Sequence, residues 1–325
     1  RKGVVPQMLE EVLKERQAIK QKLKGIKDKA SNEFRELDAN QWALKILANS
    51  TYGYLVFSRS RWYSREAGES ITAWARKYIQ DAMEQAEKSG FNVLYGDTDS
   101  LFIKYEEGGE EKVREFQKAV NKNLPGAMEL ELEDFYRRGL FVSKKGGSEK
   151  GAKKKYAAIN KEGKIKISGF ELVRRDWSKF SRDTQREVLS ILLNKGSLEE
   201  ALTLVRDKIE LLKSGGVPLD QLAITTQLRK KIKDYAITSP ELEAVKSAIK
   251  KGVKIDEESI ISYVITRKGK TTSEKAQILE LADGYDSDYY VNNQLVPAVL
   301  KILEAMGVNE DTITLKGVQK GLGDW

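Results

Sequence analysis

Apolar residues recur at helical spacing almost from the start of the chain. From Val5 to about Lys29, the residues Val12, Ile19, Leu23 and Ile26 fall on one stripe, the 3.6-residue period of an amphipathic helix. Arg16, Lys20, Lys24 and Lys27 form a second stripe bordering it, so the helix has a packed edge and a basic edge. A second helix is expected from about Glu33 to Asn49, folded back on the first through a turn near Asp28 to Ser31. Ser64 to Ser89 reads as a third, longer helix with Ile71, Trp74, Ala75, Tyr78 and Ile79 inward and Gly90 as its stop. The period then changes to two. Phe91 to Tyr95 and Leu101 to Tyr105 alternate about Gly96-Asp97-Thr98-Asp99 and predict a β-hairpin. Further strands are expected at 127–132, 140–144, 156–160 and 164–170, and beyond Asp176 the pattern turns largely helical. Helices are expected over 181–193, 198–212, 240–250 and 286–306, the last kinked by Pro297. Residues 145–151 and 213–216 read as loops, and no internal repeat is visible.

Composition narrows the chemistry. The 325 residues contain neither His nor Cys, which excludes Ser-His-Asp and Cys-His triads, zinc sites of the N/S type, haem ligation by His, and disulfides. Any metal must be a hard cation held by oxygen. With 33% charged and 40% hydrophobic residues, the chain has an ordinary globular composition, enough for two or three domains at ~150 residues each. No stretch approaches the ~18 to 20 apolar residues of a membrane span, and no basic-then-apolar leader opens the chain, so a cytoplasmic location is expected. High Lys and Glu without Cys suits a thermophile. Residue 1 is Arg and a helical pattern begins at once, so the chain is expected to be cut from something larger.

The net charge of +8 is not spread evenly. Residues 137–166 carry eleven basic and two acidic side chains, a local +9, which leaves the remainder at −1. Such a patch points to a polyanion partner, although a lysine run of this kind equally suits a solvated charged face. Leu140, Phe141, Val142, Tyr156, Ile159, Ile165 and Ile167 interleave with the charges, as in strands with basic faces.

Two further groups of residues carry candidate chemistry. In Tyr95-Gly96-Asp97-Thr98-Asp99-Ser100, two carboxylates sit one residue apart where an apolar strand reverses. Their mutual repulsion is relieved by a cation such as Mg²⁺, which takes a couple of carboxylates plus water and phosphate oxygens. An Asp-rich turn stabilised by its own backbone fits the same spacing. In Lys45-Ile46-Leu47-Ala48-Asn49-Ser50-Thr51-Tyr52-Gly53, Lys45, Asn49 and Tyr52 at i, i+4 and i+7 share one helix face. They offer a point charge, an amide and an aromatic plate, and with Arg16 and Lys20 they make a cationic wall suited to a triphosphate.

The order KxxxNSxYG, YGDTDS, a Lys-Lys-x-Tyr segment, and then Val173-Arg174-Arg175-Asp176-Trp177-Ser178 resembles the C-terminal half of an archaeal family B (α-like) DNA polymerase, over essentially the whole chain. The resemblance implies an α+β fold: a helical-hairpin fingers region over 1–55, an antiparallel β palm with packed helices over 56–170, and a mainly helical thumb over 171–325. It implies that Asp99 ligates both catalytic Mg²⁺ ions, with Asp97 as a weaker neighbour. By the same resemblance Lys45, Asn49, Arg16 and Lys20 meet the incoming dNTP, and Tyr52 stacks near the nascent base pair. Lys153, Lys154 and Tyr156, followed by Arg174 and Arg175, resemble the segments that grip primer-template DNA by its backbone. Such contacts are independent of sequence and sensitive to salt.

The chain departs from the family pattern in three respects. The upstream palm motif with a further metal-binding Asp, the exonuclease domain and the amino-terminal domain are absent from these residues, so the chain alone is expected to be inactive and to need an N-terminal polypeptide as partner. Residues 146–151 look like an insertion. Gln319-x-x-Leu322-x-x-Trp325 resembles a truncated sliding-clamp-binding box, and so short a match also fits coincidence. Competing assignments are a non-catalytic duplex-binding accessory subunit, or a D-x-D phosphatase acting through an aspartyl phosphate at Asp97. Leu101 and the hairpin strand that follows do not suit the phosphatase.

Overall fold

The computed structural model describes residues 3–126, 128–143, 151–228, 232–235, 238–256 and 259–314, and no side chains for 143, 151–154, 233 and 314. The chain falls into two compact units, residues 1–133 and 134–325. Both combine helices with antiparallel strands, in keeping with the expected α+β class.

The first unit opens with α1 (Val4–Gly25) and α2 (Asn32–Val56), packed on each other as a hairpin. The turn forms where expected. Ser31 caps α2 by accepting the Phe34 N–H at 3.2 Å, and the Asp28 carboxylate accepts the Ala30 N–H at 2.9 Å. These short side chains satisfy backbone donors that the end of a helix leaves open. Helix α2 runs seven residues past the expected end at Asn49, through Val56.

Helix α3 (Arg65–Lys88) starts on a Ser64 cap and ends before Gly90, at φ 80°. Its inward stripe differs from the expected one. Gly68, Ala82 and Ala86 are buried, whereas Ile71 is 43% and Trp74 54% exposed, the latter stacked on Tyr78 at 5.7 Å. Small residues let neighbouring backbones approach closely, so they, not the bulkier side chains, define the buried seam. A Cβ at Gly68 would lie 2.2 Å from Val56 Cγ1 at the end of α2.

The expected hairpin is β1 (Asn92–Asp97) paired with β2 (Ser100–Lys104), and both strands pack on α3. Helix α4 (Glu110–Asn123) is not among the expected elements, although Val113, Phe116 and Val120 form its buried stripe. Phe116 meets Phe91 at 5.4 Å. The strand expected at 127–132 is not formed over the described residues 128–132. Side chains of α4 take the place of a ladder partner there: Gln117 and Asn121 donate to the Leu130 carbonyl at 2.8 and 3.1 Å, and Asn121 accepts its N–H at 2.7 Å.

The second unit begins with a three-stranded antiparallel sheet in the order β3 (Tyr136–Ser143), β4 (Gly151–Asn160), β5 (Ile165–Ser168). A single 3₁₀ turn over Glu171–Val173 leads to α5 (Lys179–Asn194) and α6 (Leu198–Lys213). The short α7 (Leu219–Leu222) precedes β6 (Ile224–Gln227), α8 (Pro240–Lys250), β7 (Ile260–Ile265) and β8 (Ala276–Ile278). Strands β6, β7 and β8 form a second antiparallel sheet inside a region expected to be mainly helical. Its central strand, Ile260–Ile265, is β-branched and aromatic throughout apart from Ser262, as buried strands are.

The expected helix over 286–306 is interrupted. It comprises α9 (Ser287–Tyr289), a π-helical segment over Tyr290–Leu295, and α10 (Val296–Glu304), with α11 (Glu310–Thr314) after it. Pro297 lies in the first turn of α10. It lacks the N–H that would bond the Asn293 carbonyl and its ring crowds that group, which accounts for widening in the preceding turn. One continuous core joins the sheet residues Leu140, Ala157 and Ile159 to Leu189, Leu193, Leu212, Tyr290, Leu295 and Ile302.

Candidate functional site

The tightest part of the β1–β2 hairpin holds the two candidate carboxylates. Asp97 and Ser100 face each other in register, leaving Thr98 and Asp99 as the turn. Thr98 has φ 54°, a left-handed conformation that β-branched residues rarely adopt and that costs about 1 to 3 kcal/mol. Its hydroxyl donates to Asp97 Oδ1 at 3.1 Å, and the Asp99 N–H donates to the Asp97 carbonyl at 2.6 Å. Beneath the turn, Gly96 lies over Met83 of α3, where a Cβ would come within 2.7 Å of the sulfur. Asp97 is half-buried and Asp99 exposed. Neither forms an ion pair with a Lys or Arg among the described residues. No third acidic side chain joins them in a metal-sized cluster among the described residues. Two oxygen donors without a cationic partner fit a hard cation completed by other ligands.

Lys45, Asn49 and Tyr52 lie on one exposed face of α2, as their spacing predicts. Lys45 Nζ sits 4.6 Å from the centre of the Trp42 ring, a cation–π contact that restrains its long stem. Tyr52 also lines a shallow hollow with Val56, Tyr63, Arg65, Gly68, Glu69 and Thr72, at the junction of α2 and α3.

On α1, Arg16 and Lys20 are half-buried. Lys20 pairs with Glu131. The Lys20 hydrogen bond, outweighing partial burial and aided by the charges of Lys20, Arg16 and Lys24, holds the Glu131 carboxyl below its ordinary range. Arg16 keeps a buried Nε without a hydrogen-bond partner. The basic stripe of α1 therefore already faces one anionic group.

In the second unit the basic patch divides into structural and available charges. Arg138 donates from Nη1 to the carbonyls of Leu192 and Leu193, both at 3.0 Å, and so caps the C-terminal end of α5. Arg137 reaches Asn194 at 3.0 Å. Lys155 pairs with the buried Glu171. Tyr156 meets Phe141 at 6.0 Å, and Lys166 Nζ lies 5.9 Å from the Tyr156 ring. Lys153 and Lys154 occupy β4, but their side chains lie outside the described set. Arg174 and Arg175 follow the 3₁₀ turn and are exposed; Arg174 Nε bonds Asp176 at 3.0 Å. Gln319, Leu322, Trp325 and residues 146–150 lie outside the described residues. The roles of Arg138 as a helix cap and of Glu171 as a buried counter-charge are not visible in the sequence, because their partners are 54 to 55 and 16 residues away.

The family model described as DNA polymerase family B matches residues 1–306. The chain belongs to DNA polymerase family B. It is 41% identical over 333 aligned residues to a DNA polymerase of Thermococcus sp. (strain 9oN-7), covering 99% of this chain and 42% of that protein. It is 42% identical over 278 residues to a DNA polymerase of Methanocaldococcus jannaschii, covering 83% of this chain and 16% of that protein. The fold is similar to the family B DNA polymerase from the hyperthermophilic archaeon Pyrobaculum calidifontis, with a TM-score of 0.66 and 34% identity over 95% of this chain and 39% of that one. This family B chain thus spans well under half the length of the curated relatives it matches. Family membership removes the phosphatase assignment, and the hairpin agrees: β2 begins at Ser100, directly after Asp99, where a D-x-D phosphatase has a helix.

Proposed function

We propose that this chain supplies the fingers (1–55), palm (56–170) and thumb (171–325) of a DNA-directed DNA polymerase that transfers a nucleotide from dNTP to a primer 3′-OH. The observation that carries this assignment is the Asp97–Asp99 pair: two carboxylates, free of cationic partners among the described residues, held on a strained turn in a family B chain. Preorganised anions of this kind are costly without a cation and useful with one.

Asp99, with Asp97 beside it, is the group that would hold Mg²⁺. When bound, the paired ions neutralise charge developing on the transferred phosphate and lower the pKa of the attacking hydroxyl. Lys45, Asn49, Arg16 and Lys20 bind and orient the triphosphate, and Tyr52 packs against the nascent base pair. Lys153, Lys154, Tyr156, Arg174 and Arg175 hold the duplex by its phosphates, which keeps binding independent of sequence. A further palm carboxylate and the exonuclease come from an N-terminal polypeptide beyond these residues, in agreement with the 42% coverage of the Thermococcus relative. A sliding clamp at Gln319, Leu322 and Trp325 is a further candidate partner. No described helix is long and apolar enough to cross a membrane.

The test is reconstitution. The chain mixed with the upstream half of a family B polymerase is expected to extend a primer in Mg²⁺, and Asp99→Ala in the same mixture is expected to abolish extension. Undiminished extension by that variant would remove Asp99 from the active centre.

A further inference from the structure

Three consecutive lysines, 153 to 155, invite the assumption that all meet DNA. The structure separates the third. Lys155 forms an ion pair with Glu171 in which the two side chains are only 17% and 9% exposed, and its ammonium lies 5.9 Å from the centre of the Phe170 ring. The second Glu171 oxygen accepts a hydrogen bond from Gln185 Nε2 at 3.0 Å. Gln185 is fully buried in α5. Its amide also donates to the Ala298 carbonyl of α10, and its oxygen accepts the Leu172 N–H at 2.8 Å. The Glu171 carbonyl accepts the Arg174 N–H at 2.9 Å. One carboxylate therefore ties the strand carrying Tyr156 to the turn that launches Arg174 and Arg175, and locks both to two helices.

Satisfaction of every partner is what makes such a network rigid. A buried carboxylate with one bond missing would be destabilising, whereas a fully bonded one specifies a single arrangement. Adjacent strand residues point to opposite faces, so an inward Lys155 turns Tyr156 to the other side of β4. A few tenths of an ångström matter where several phosphate contacts must be met together by groups from two separate segments.

We propose that Lys155, Glu171 and Gln185 are positioning residues for duplex binding: Lys155 contacts no phosphate, and the buried network sets the Lys154–Tyr156 strand in register with Arg174 and Arg175. The inference rests on the polymerase assignment for its ligand but concerns residues to which that assignment gives no role.

The experiment measures the affinity of the full 325-residue chain for a fluorescent primer-template duplex across a salt series, well below the melting temperature of each variant. Lys154→Ala serves as the reference for a lost phosphate contact, which lowers the slope of log affinity against log salt by about one. Glu171→Gln and Lys155→Met are expected to weaken binding about tenfold with the slope unchanged, and Lys155→Arg to remain within about threefold of wild type. The double variant Lys155→Met/Glu171→Gln is expected to bind more tightly than Glu171→Gln alone, since it no longer buries an unpaired ammonium. A slope reduced by about one in Lys155→Met overturns the proposal, because Lys155 then meets phosphate. So does a lowered melting temperature in Glu171→Gln with unchanged duplex affinity, which marks a purely structural pair. Absence of duplex binding by the wild-type chain would count instead against the polymerase assignment itself, and this inference would fall with it.

Discussion

Among the described residues, Thr98 is the only non-glycine residue with a left-handed backbone, and it stands between Asp97 and Asp99. Glycine adopts φ 54° without a Cβ penalty. Thr98→Gly is therefore expected to leave the fold intact and to raise stability by up to about 1 kcal/mol in thermal unfolding. It removes the hydroxyl that bonds Asp97 at 3.1 Å, so extension by the reconstituted polymerase is expected to fall. Gly96 behaves in the opposite sense. Gly96→Val would force a branched side chain against Met83, 2.7 Å from the first added carbon, and is expected to cost about 1 to 3 kcal/mol, read as a lower melting temperature. At this scale the sequence was informative about the aspartates and uninformative about what holds them. Asp97-x-Asp99 is a visible pattern, but Met83 reaches Gly96 only through the packing of α3 on β1.

Elements show where periodicity succeeds. The α1–α2 hairpin, α3 and the β1–β2 hairpin were legible because each carries its own caps: Ser31, Ser64 and the two-residue turn. The segment 128–132 misled because Met128, Leu130 and Leu132 alternate with glutamates like a strand, whereas its Leu130 backbone is bound by α4 amides. Asn121→Leu strips both Asn121 hydrogen bonds from Leu130. A loss of about 1 to 3 kcal/mol is expected, with faster hydrogen exchange confined to residues 128–134. Strands β6 to β8 were missed because they are short and separated by 32 and 10 residues, so their pairing is a tertiary fact.

The Glu171 network adds a dependence on pH at the same scale. Burial pushes its carboxyl up, but hydrogen bonds from Lys155 and Gln185, with the Lys155 charge, outweigh burial and hold it below its ordinary value of 4.5. A depressed carboxyl stabilises the fold fully above its unfolded value and loses that contribution as pH falls through its folded value. The difference in melting temperature between wild type and Glu171→Gln is expected to be constant above about pH 5 and to shrink below pH 4.5; a difference that grows on acidification would contradict the assigned direction.

For the whole molecule, the net charge of +8 resolves into two kinds of cation. Arg138 and Lys155 serve the fold, one as a helix cap and one as a buried counter-ion. Arg174 and Arg175 stand exposed, and Lys45 is exposed beside Trp42. The basic region is visible in the sequence, but the sequence does not sort its members, since that depends on contacts between residues far apart in the chain. The family, by contrast, was readable from four short motifs in order, and the match over residues 1–306 supports it.

The proposed function places Asp99 in the catalytic centre of a DNA polymerase. Primer extension by the chain combined with the upstream half of a family B polymerase, compared between wild type and Asp99→Ala at equal duplex affinity, tests it most directly. Mg²⁺-dependent extension by the wild type and a loss of at least about a thousandfold in the variant are expected. Extension by Asp99→Ala at the wild-type rate would contradict it.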